Sequence, residues 1–114
     1  MKRDDSIVMI TWHTNPLRGD RFEDAWRPAA AAAIDYGASY WALLRSKDYP
    51  LDFVQLAAFA TKTDFERYWY SEEVSEARAE GIGLYQIPVV PQWLRAVDAG
   101  RILPDSELET EPQT

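Results

Sequence analysis

Residues 22–26 read Phe-Glu-Asp-Ala-Trp and residues 65–69 read Phe-Glu-Arg-Tyr-Trp, so the pattern Phe-Glu-x-x-Trp occurs twice in the chain. Each copy follows an apolar run that is typical of a β-strand. A Phe and a Trp four positions apart lie on one face of a helix, so each copy predicts the start of a helix that packs an aromatic pair against a sheet. The chain is therefore expected to consist of two similar halves.

Strands are predicted on either side of the two helices. The segments with strand-like apolar patterns are Ser6–Trp12, Ser39–Ser46, Asp52–Ala60 and Leu84–Val97. Pro88 and Pro91 restrict the last segment to an edge or to partial pairing, and residues 92–99 could instead form a short helix. The order β-α-β-β-α-β predicts a ferredoxin-like α+β fold, with both helices on one face of a four-stranded antiparallel sheet.

Polar residues mark the expected helix starts. The N-terminal signals are Asp20 with Glu23, Thr63 with Glu66, and Ser71 followed by two glutamates. The first two pairs have the spacing of a capping box, and Ser71 predicts that the second helix breaks and restarts. Pro28 lies inside the first helix and removes one hydrogen bond, so either a kink or an early break is expected there.

Composition limits the possible functions. At 114 residues the chain fits one domain, expected at residues 1–97, followed by an acidic C-terminal tail at residues 98–114. The net charge of −7, without a basic stripe, argues against a nucleic-acid partner. The absence of cysteine excludes disulfides and thiolate metal sites. Only four consecutive apolar residues, 7–10, follow the N-terminus, so no membrane association and a cytoplasmic location are expected.

The first three predicted strands carry apolar residues on both faces. Two helices can cover only one face of the sheet. The largest apolar patch on a monomer is roughly 300–600 Å², and an uncovered sheet face would exceed it. The sequence therefore predicts a homodimer in which the second face packs against a second copy of the chain.

The residues also resemble a known family. Phe22-x-x-x-Trp26-Arg27-Pro28, then Tyr36-Gly37-Ala38, then residues 65–71 resemble the dimeric α/β-barrel superfamily, and within it the antibiotic-biosynthesis-monooxygenase type domains. The resemblance covers roughly residues 6–97. It implies a homodimer whose two sheets form an α/β barrel, with a ligand cavity between helices and sheet in each subunit. Activities in that superfamily include cofactor-independent oxygenation of aromatic polyketides, haem degradation, chlorite decomposition and decarboxylation, and some members have no demonstrated activity.

The chain departs from the haem-using relatives. Haem-degrading members use an Asn on the first strand, a Trp on the second helix and a His ten residues later. Here residues 6–12 contain no Asn, Tyr68 takes the Trp position and Arg78 takes the His position. Chlorite-decomposing relatives need a proximal His on a longer chain, and His13 is the only histidine. Haem chemistry is therefore disfavoured, and neither a cofactor nor a metal is expected.

Two residues are predicted to be catalytic. His13 is the only side chain in this cysteine-free chain whose ordinary pKa lies between 5 and 8. It could therefore act as a general base toward a phenol or enol. The alternative is a turn histidine that hydrogen-bonds the following loop. Tyr68 is the second candidate, as part of an aromatic set that could equally belong to the core.

The remaining candidates are expected to bind a ligand. They are Trp12, Tyr36, Tyr40, Trp69 and Arg45. Their rings could line a flat pocket, with arginine polarising ligand oxygens, although Arg45 could instead form an ion pair with Asp48 or Asp52. Two functions remain open. The first is a cofactor-independent monooxygenase-like protein that binds a small aromatic or apolar molecule, and the alternative is a non-catalytic ligand-binding or assembly module of the same fold.

Overall fold

The computed structural model describes residues 3–101 and has the predicted ferredoxin-like α+β architecture. Its elements, in chain order, are β1 (Ser6–His13), α1 (Gly19–Ala31), a 3₁₀-helix (Ala32–Tyr36), β2 (Tyr40–Arg45), β3 (Asp52–Ala58), α2 (Lys62–Trp69), α3 (Glu72–Glu80) and β4 (Gln92–Arg95). The four strands form one antiparallel sheet in the order β2-β3-β1-β4. Of the predicted acidic tail, residues 102–114 lie outside the described part of the chain.

The last strand is shorter than the predicted segment Leu84–Val97. Within it, Gln92–Arg95 forms the ladder with β1, because Pro88 and Pro91 cannot donate to a longer ladder. The alternative of a helix at residues 92–99 is wrong. Pro28 does not break α1 early, since the helix continues to Ala31 before it tightens into the 3₁₀-helix.

The predicted capping box at the start of α1 is wrong. The helix begins at Gly19, so Arg18 takes the N-cap position, with no side-chain capping bond, and Asp20 lies inside the first turn. The carboxylates of Asp20 and Glu23 instead contact Arg45. The charge of Asp20 still lies in the first turn, near the positive end of the helix dipole, where it is stabilising.

The second helix also starts earlier than predicted. Thr61 rather than Thr63 caps α2, accepting a hydrogen bond from the backbone N–H of Asp64 at 3.1 Å. The predicted break before α3 is confirmed. Ser71 Oγ accepts from the Val74 N–H at 3.3 Å and begins the new helix.

The two copies of the aromatic pattern adopt matching geometry. The rings of Phe22 and Trp26 are stacked with centroids 6.1 Å apart, and those of Phe65 and Trp69 are stacked at 6.0 Å. Both tryptophans contact Trp12 of β1, at 4.6 Å and 6.1 Å. The interpretation of the chain as two similar halves, each docking an aromatic pair on the sheet, is confirmed.

The two faces of the sheet differ in burial. Alternate residues of β1 and β3 face the helices and are buried: Val8, Ile10, Trp12, Phe53, Gln55 and Ala57. The opposite face, which we call the helix-free face, includes Met9, Ala42, Leu44, Val54 and Leu56. Leu44 is 50% exposed, and the other four are partly exposed. Among residues 3–101, no helix is long and apolar enough to cross a bilayer.

Candidate functional site

A buried hydrogen-bond network centred on Gln55 joins the sheet to both halves of the helical layer. Gln55 is 1% exposed, and its Oε1 accepts from Trp26 Nε1 at 2.8 Å and from Trp12 Nε1 at 3.2 Å. Its Nε2 donates to the Tyr68 hydroxyl at 2.9 Å. One amide therefore satisfies two indole donors and orients one phenol.

Tyr68 completes this network. Its hydroxyl donates to the carbonyl of Ala29 at 2.6 Å, which ties α2 to α1. Burial raises the pKa of Tyr68 to about 12, so the phenol keeps its proton at neutral pH. The ring of Tyr36 packs edge-on against Tyr68 at 6.0 Å. This placement gives Tyr68 a structural role, and its catalytic role stays a prediction.

Aromatic side chains fill the space between the helices and the sheet. The ring of Trp12 lies 4.6–6.1 Å from those of Phe22, Trp26, Trp69 and Tyr85. Trp12 itself is completely buried. At the positions of these rings, where the family resemblance implies a ligand cavity, the protein has a packed core.

An apolar groove lies at one side of this core, between α3 and the segment of residues 82–89. We call it the Trp69 groove; it has a volume of about 570 Å³. Its lining residues are Trp69, Ser75, Arg78, Ala79, Ile82, Gly83, Tyr85, Ile87 and Val89. Of these side chains only Arg78 is charged. The groove can therefore take a small, mainly apolar molecule.

The turn after β1 fixes one wall of the Trp69 groove. Asn15 Nδ2 donates to the Gly83 carbonyl at 2.8 Å, and the Asn15 N–H donates to the Leu84 carbonyl at 2.9 Å. The Gln86 N–H donates to the His13 carbonyl at 2.8 Å. These bonds hold the segment that presents Tyr85 to the groove.

Tyr85 links this segment to α3. Its hydroxyl donates to the Arg78 carbonyl at 2.8 Å, close to the end of the helix. Burial raises the pKa of Tyr85, and the charge of Arg78 opposes that shift. The phenol therefore acts as a neutral hydrogen-bond donor at neutral pH.

A second cleft, of about 370 Å³, lies between α1 and the edge strand β2, and Arg45 forms part of its lining. Arg45 Nη1 lies 2.8 Å from Asp20 Oδ1 and 3.3 Å from Glu23 Oε1, and the bond to Asp20 raises the pKa of Arg45. Its Nε donates to the Pro50 carbonyl. The predicted pairing with Asp48 or Asp52 is wrong, because the Arg45 side chain lies on the helix-facing side of the sheet.

The close approach of Arg45 explains the glycine at the start of α1. A Cβ atom at position 19 would lie 2.5 Å from Arg45 Nη2 and 3.3 Å from the Pro50 carbonyl oxygen. The guanidinium is restrained because its Nη1 already contacts two carboxylates, and the Pro50 oxygen belongs to the backbone. Arg45 is therefore an anchor between α1 and β2 with most of its donors occupied.

His13 lies on the other side of the sheet. Its side chain is 57% exposed, and Nδ1 lies 2.9 Å from Asp52 Oδ1 on the neighbouring strand. Tyr40 belongs to the same helix-free face, since its strand partner is Ala58 and that of His13 is Asp52. His13 is not part of the lining of the Trp69 groove or of the α1–β2 cleft.

The predicted site residues therefore do not form one site. Trp12, Tyr36 and Tyr68 lie in or against the core network, Trp69 lines the groove, Arg45 lines the second cleft, and His13 and Tyr40 lie on the helix-free face. Sequence reasoning missed Gln55, Arg78 and Tyr85. Strand alternation was the available signal for Gln55, because it places this residue on the same face as Phe53 and Ala57. Among the described residues, no group of three or more potential metal ligands comes together.

No protein-family model matches the chain, and no curated protein matches it by sequence. Similar solved structures include three proteins that are each described as a putative antibiotic biosynthesis monooxygenase. The one from Nitrosomonas europaea has a TM-score of 0.75 at 16% identity, covering 85% of this chain and 94% of its own. The one from Caulobacter crescentus has a TM-score of 0.72 at 20% identity, covering 84% and 92%.

The third, from Deinococcus radiodurans, has a TM-score of 0.72 at 13% identity, covering 87% of this chain and 99% of its own. At these identities the likeness establishes the fold. The chain has the ferredoxin-like architecture of the antibiotic-biosynthesis-monooxygenase-like domains.

Proposed function

We propose that this protein is a homodimeric small-molecule-binding protein of monooxygenase-like fold, with the Trp69 groove as its binding site for a planar, largely apolar molecule. The observation that carries the proposal is the groove itself. Its volume of about 570 Å³ falls in the range of ordinary ligand sites, which are mostly apolar with a few placed polar groups. Trp69, predicted from the sequence to bind ligand, is one of the lining residues, with its ring mostly buried beneath the guanidinium of Arg78.

The packed interior supports binding over catalysis as the basic function. Gln55 and Tyr68 have their hydrogen bonds satisfied inside the protein and are buried from solvent. A ligand in the Trp69 groove would contact mainly hydrocarbon and ring surface. We infer that affinity comes from apolar contact, as in a ligand-binding module.

Calorimetric titration of the purified protein with a panel of quinols and polyketide-like phenols tests this proposal. The variant Ile87→Asp places a carboxylate on the apolar wall at a side chain that is 79% exposed, so folding should be little affected. We expect at least about tenfold weaker binding, since a charge is costly beside an apolar ligand. Val90→Asp is the matched control, because Val90 is exposed and lies next to this segment but is not part of the groove lining. Failure of the wild type to bind any probe would contradict the proposal.

The homodimer is proposed to form through the helix-free face. The apolar side chains on this face, among them Leu44 and Leu56, are the support for it. Light scattering at micromolar concentration should give about 26 kDa, twice the 13.1 kDa of one chain. Leu44→Asp should shift the mass toward the monomer, whereas Leu17→Asp, in the loop before α1, should not. A wild-type protein that stays monomeric would remove the dimer from the proposal.

A second candidate function is cofactor-independent oxygenation with His13 as the base. The observation that favours it is the 2.9 Å contact between His13 Nδ1 and Asp52, since a carboxylate can orient an imidazole for proton transfer. His13→Ala should then lower turnover of a phenolic or enolic substrate by roughly 10²–10⁴, while affinity for a ligand of the Trp69 groove, which His13 does not line, stays nearly intact.

Equal turnover by His13→Ala would remove His13 from the mechanism and leave Tyr36, Tyr40 and Tyr68 as the candidates. If the wild type binds these compounds but converts none of them, the protein is a non-catalytic binding module.

The cytoplasmic location expected from the sequence stays a prediction, and fractionation of cells that produce the protein would test it.

A further inference from the structure

We propose that the Trp69 groove selects ligands that carry an anionic oxygen beside a flat apolar body, and that Arg78 is the residue that recognises the charge. This inference rests on the proposed function of the groove. It names the chemical class of the ligand, which the shape of the groove alone does not define.

The guanidinium of Arg78 is held in a fixed position. Its Nη2 donates to the Trp69 carbonyl at 2.7 Å and to Ser75 Oγ at 3.4 Å. The guanidinium carbon lies 4.3 Å from the centre of the Trp69 ring, and a second ring, that of Tyr70, lies at 6.0 Å. Stacking on the indole and bonding at one end leave the arginine little rotational freedom, so a ligand would meet a preorganised cation.

The charge of Arg78 has no counter-ion in the described part of the chain. Ion pairs among residues 3–101 include those of His13, Arg45, Arg67 and Arg95, and Arg78 forms none with the described residues. Its Nε is buried without a hydrogen-bond partner, and its Nη1 makes no hydrogen bond to the described residues. A partly desolvated guanidinium with two nitrogens left without an acceptor is energetically unfavourable, so an anionic oxygen that reaches Nη1 is stabilised.

The groove walls strengthen this effect. Ile82, Ile87 and Val89 bring hydrocarbon to the same space as the guanidinium. A ligand seated against them displaces water, and a charge-assisted hydrogen bond is stronger in such surroundings. Within the planar fork of Arg78, Nη1 is the nitrogen left to donate to a ligand, and a carboxylate oxygen is a strong acceptor for it, so an aromatic carboxylate is the best representative of the class.

Two probes of nearly the same shape test the inference: 2-naphthoate, which is anionic, and methyl 2-naphthoate, which is neutral. Calorimetric titration at physiological salt measures both affinities for the wild type, for Arg78→Met and for the control Arg67→Met. Arg67 also carries a positive charge, but it lies on α2, is 65% exposed and pairs with Asp64. Physiological salt is needed because α3 also carries four glutamates, and their longer-range repulsion is screened beyond about 8 Å.

We expect the wild type to prefer the carboxylate over the ester, and Arg78→Met to weaken carboxylate binding by about 10- to 100-fold while ester binding changes little. Arg67→Met should behave as the wild type. If Arg78→Met does not fold, Arg78→Lys keeps the charge but loses the fork and the bond to the Trp69 carbonyl, and a reduced preference for the carboxylate is expected.

The outcomes separate this inference from the proposed function. Equal wild-type affinity for the two probes, or a preference that survives in Arg78→Met, would overturn the inference and leave ligand binding in the groove intact. Binding of neither probe, nor of the quinols and phenols, would overturn both.

Discussion

Replacing Gln55 with leucine should destabilise the protein strongly, although the two side chains are similar in size. The substitution removes the acceptor of two indole N–H groups, those of Trp12 and Trp26, and the donor to Tyr68. Each buried donor left without a partner costs about 1–3 kcal/mol, so the two together cost about 2–6 kcal/mol. Leucine recovers part of this through apolar packing, and we expect a net loss of about 2–4 kcal/mol in the free energy of unfolding.

Urea denaturation followed by circular dichroism measures this loss, with an unchanged m-value as the check that only stability has changed. Gln86→Leu is the control, because the Gln86 side chain is exposed and should tolerate the change within about 0.5 kcal/mol. Combining Gln55→Leu with Tyr68→Phe should cost less than the sum of the two single losses, by about 0.5–3 kcal/mol, since both residues belong to one network. A loss below about 0.5 kcal/mol for Gln55→Leu, or simple additivity, would refute the reasoning.

Two further predictions concern the core. Trp26→Ala and Trp69→Ala should each lower the free energy of unfolding by about 3–5 kcal/mol, as large aromatic truncations do, and unchanged melting temperatures for both would show that the repeated pattern has no structural role. The folded-state pKa of Tyr68, about 12, lies above its ordinary value of 10.0, so its stabilisation is present below pH 10 and lost as the pH rises toward 12. Between pH 10 and 12 the wild type should lose roughly 2–3 kcal/mol more than Tyr68→Phe, in which Tyr85, whose pKa is also raised, still contributes a loss; identical slopes would contradict the assigned burial.

Much of the fold could be predicted because local signals agree with the global arrangement. The two Phe-Glu-x-x-Trp copies place an aromatic pair on each helix, and the alternation in β1 and β3 places large side chains beneath them. Ser71 marks the break between α2 and α3 for a local reason, since its hydroxyl competes with the continuing helix for backbone donors. Such signals need no knowledge of distant residues.

The contacts of Arg45 could not be assigned from sequence distance. Asp48 and Asp52 are closer along the chain, yet the guanidinium pairs with Asp20 and Glu23 of α1. The register decides this outcome: Arg45 is opposite Phe53, whose side chain faces the helices, so the adjacent Asp52 points to the other face and meets His13. The same alternation identifies Gln55 as an inward-facing polar residue, but its partners are visible only once the helices are placed.

Access and unsatisfied hydrogen-bonding capacity together indicate where this protein can still do chemistry. Tyr68 is buried and its hydroxyl already has hydrogen-bond partners, so it is neither accessible nor free to bond a ligand. His13 is accessible and has Asp52 to orient it, which suits a base only if a substrate reaches the helix-free face. Arg78 lines an apolar groove with no counter-ion among the described residues and with two of its three nitrogens unbonded there. An anion bound at Nη1 of Arg78 would therefore leave the Gln55 network in place, whereas a reaction at Tyr68 would require that network to open first.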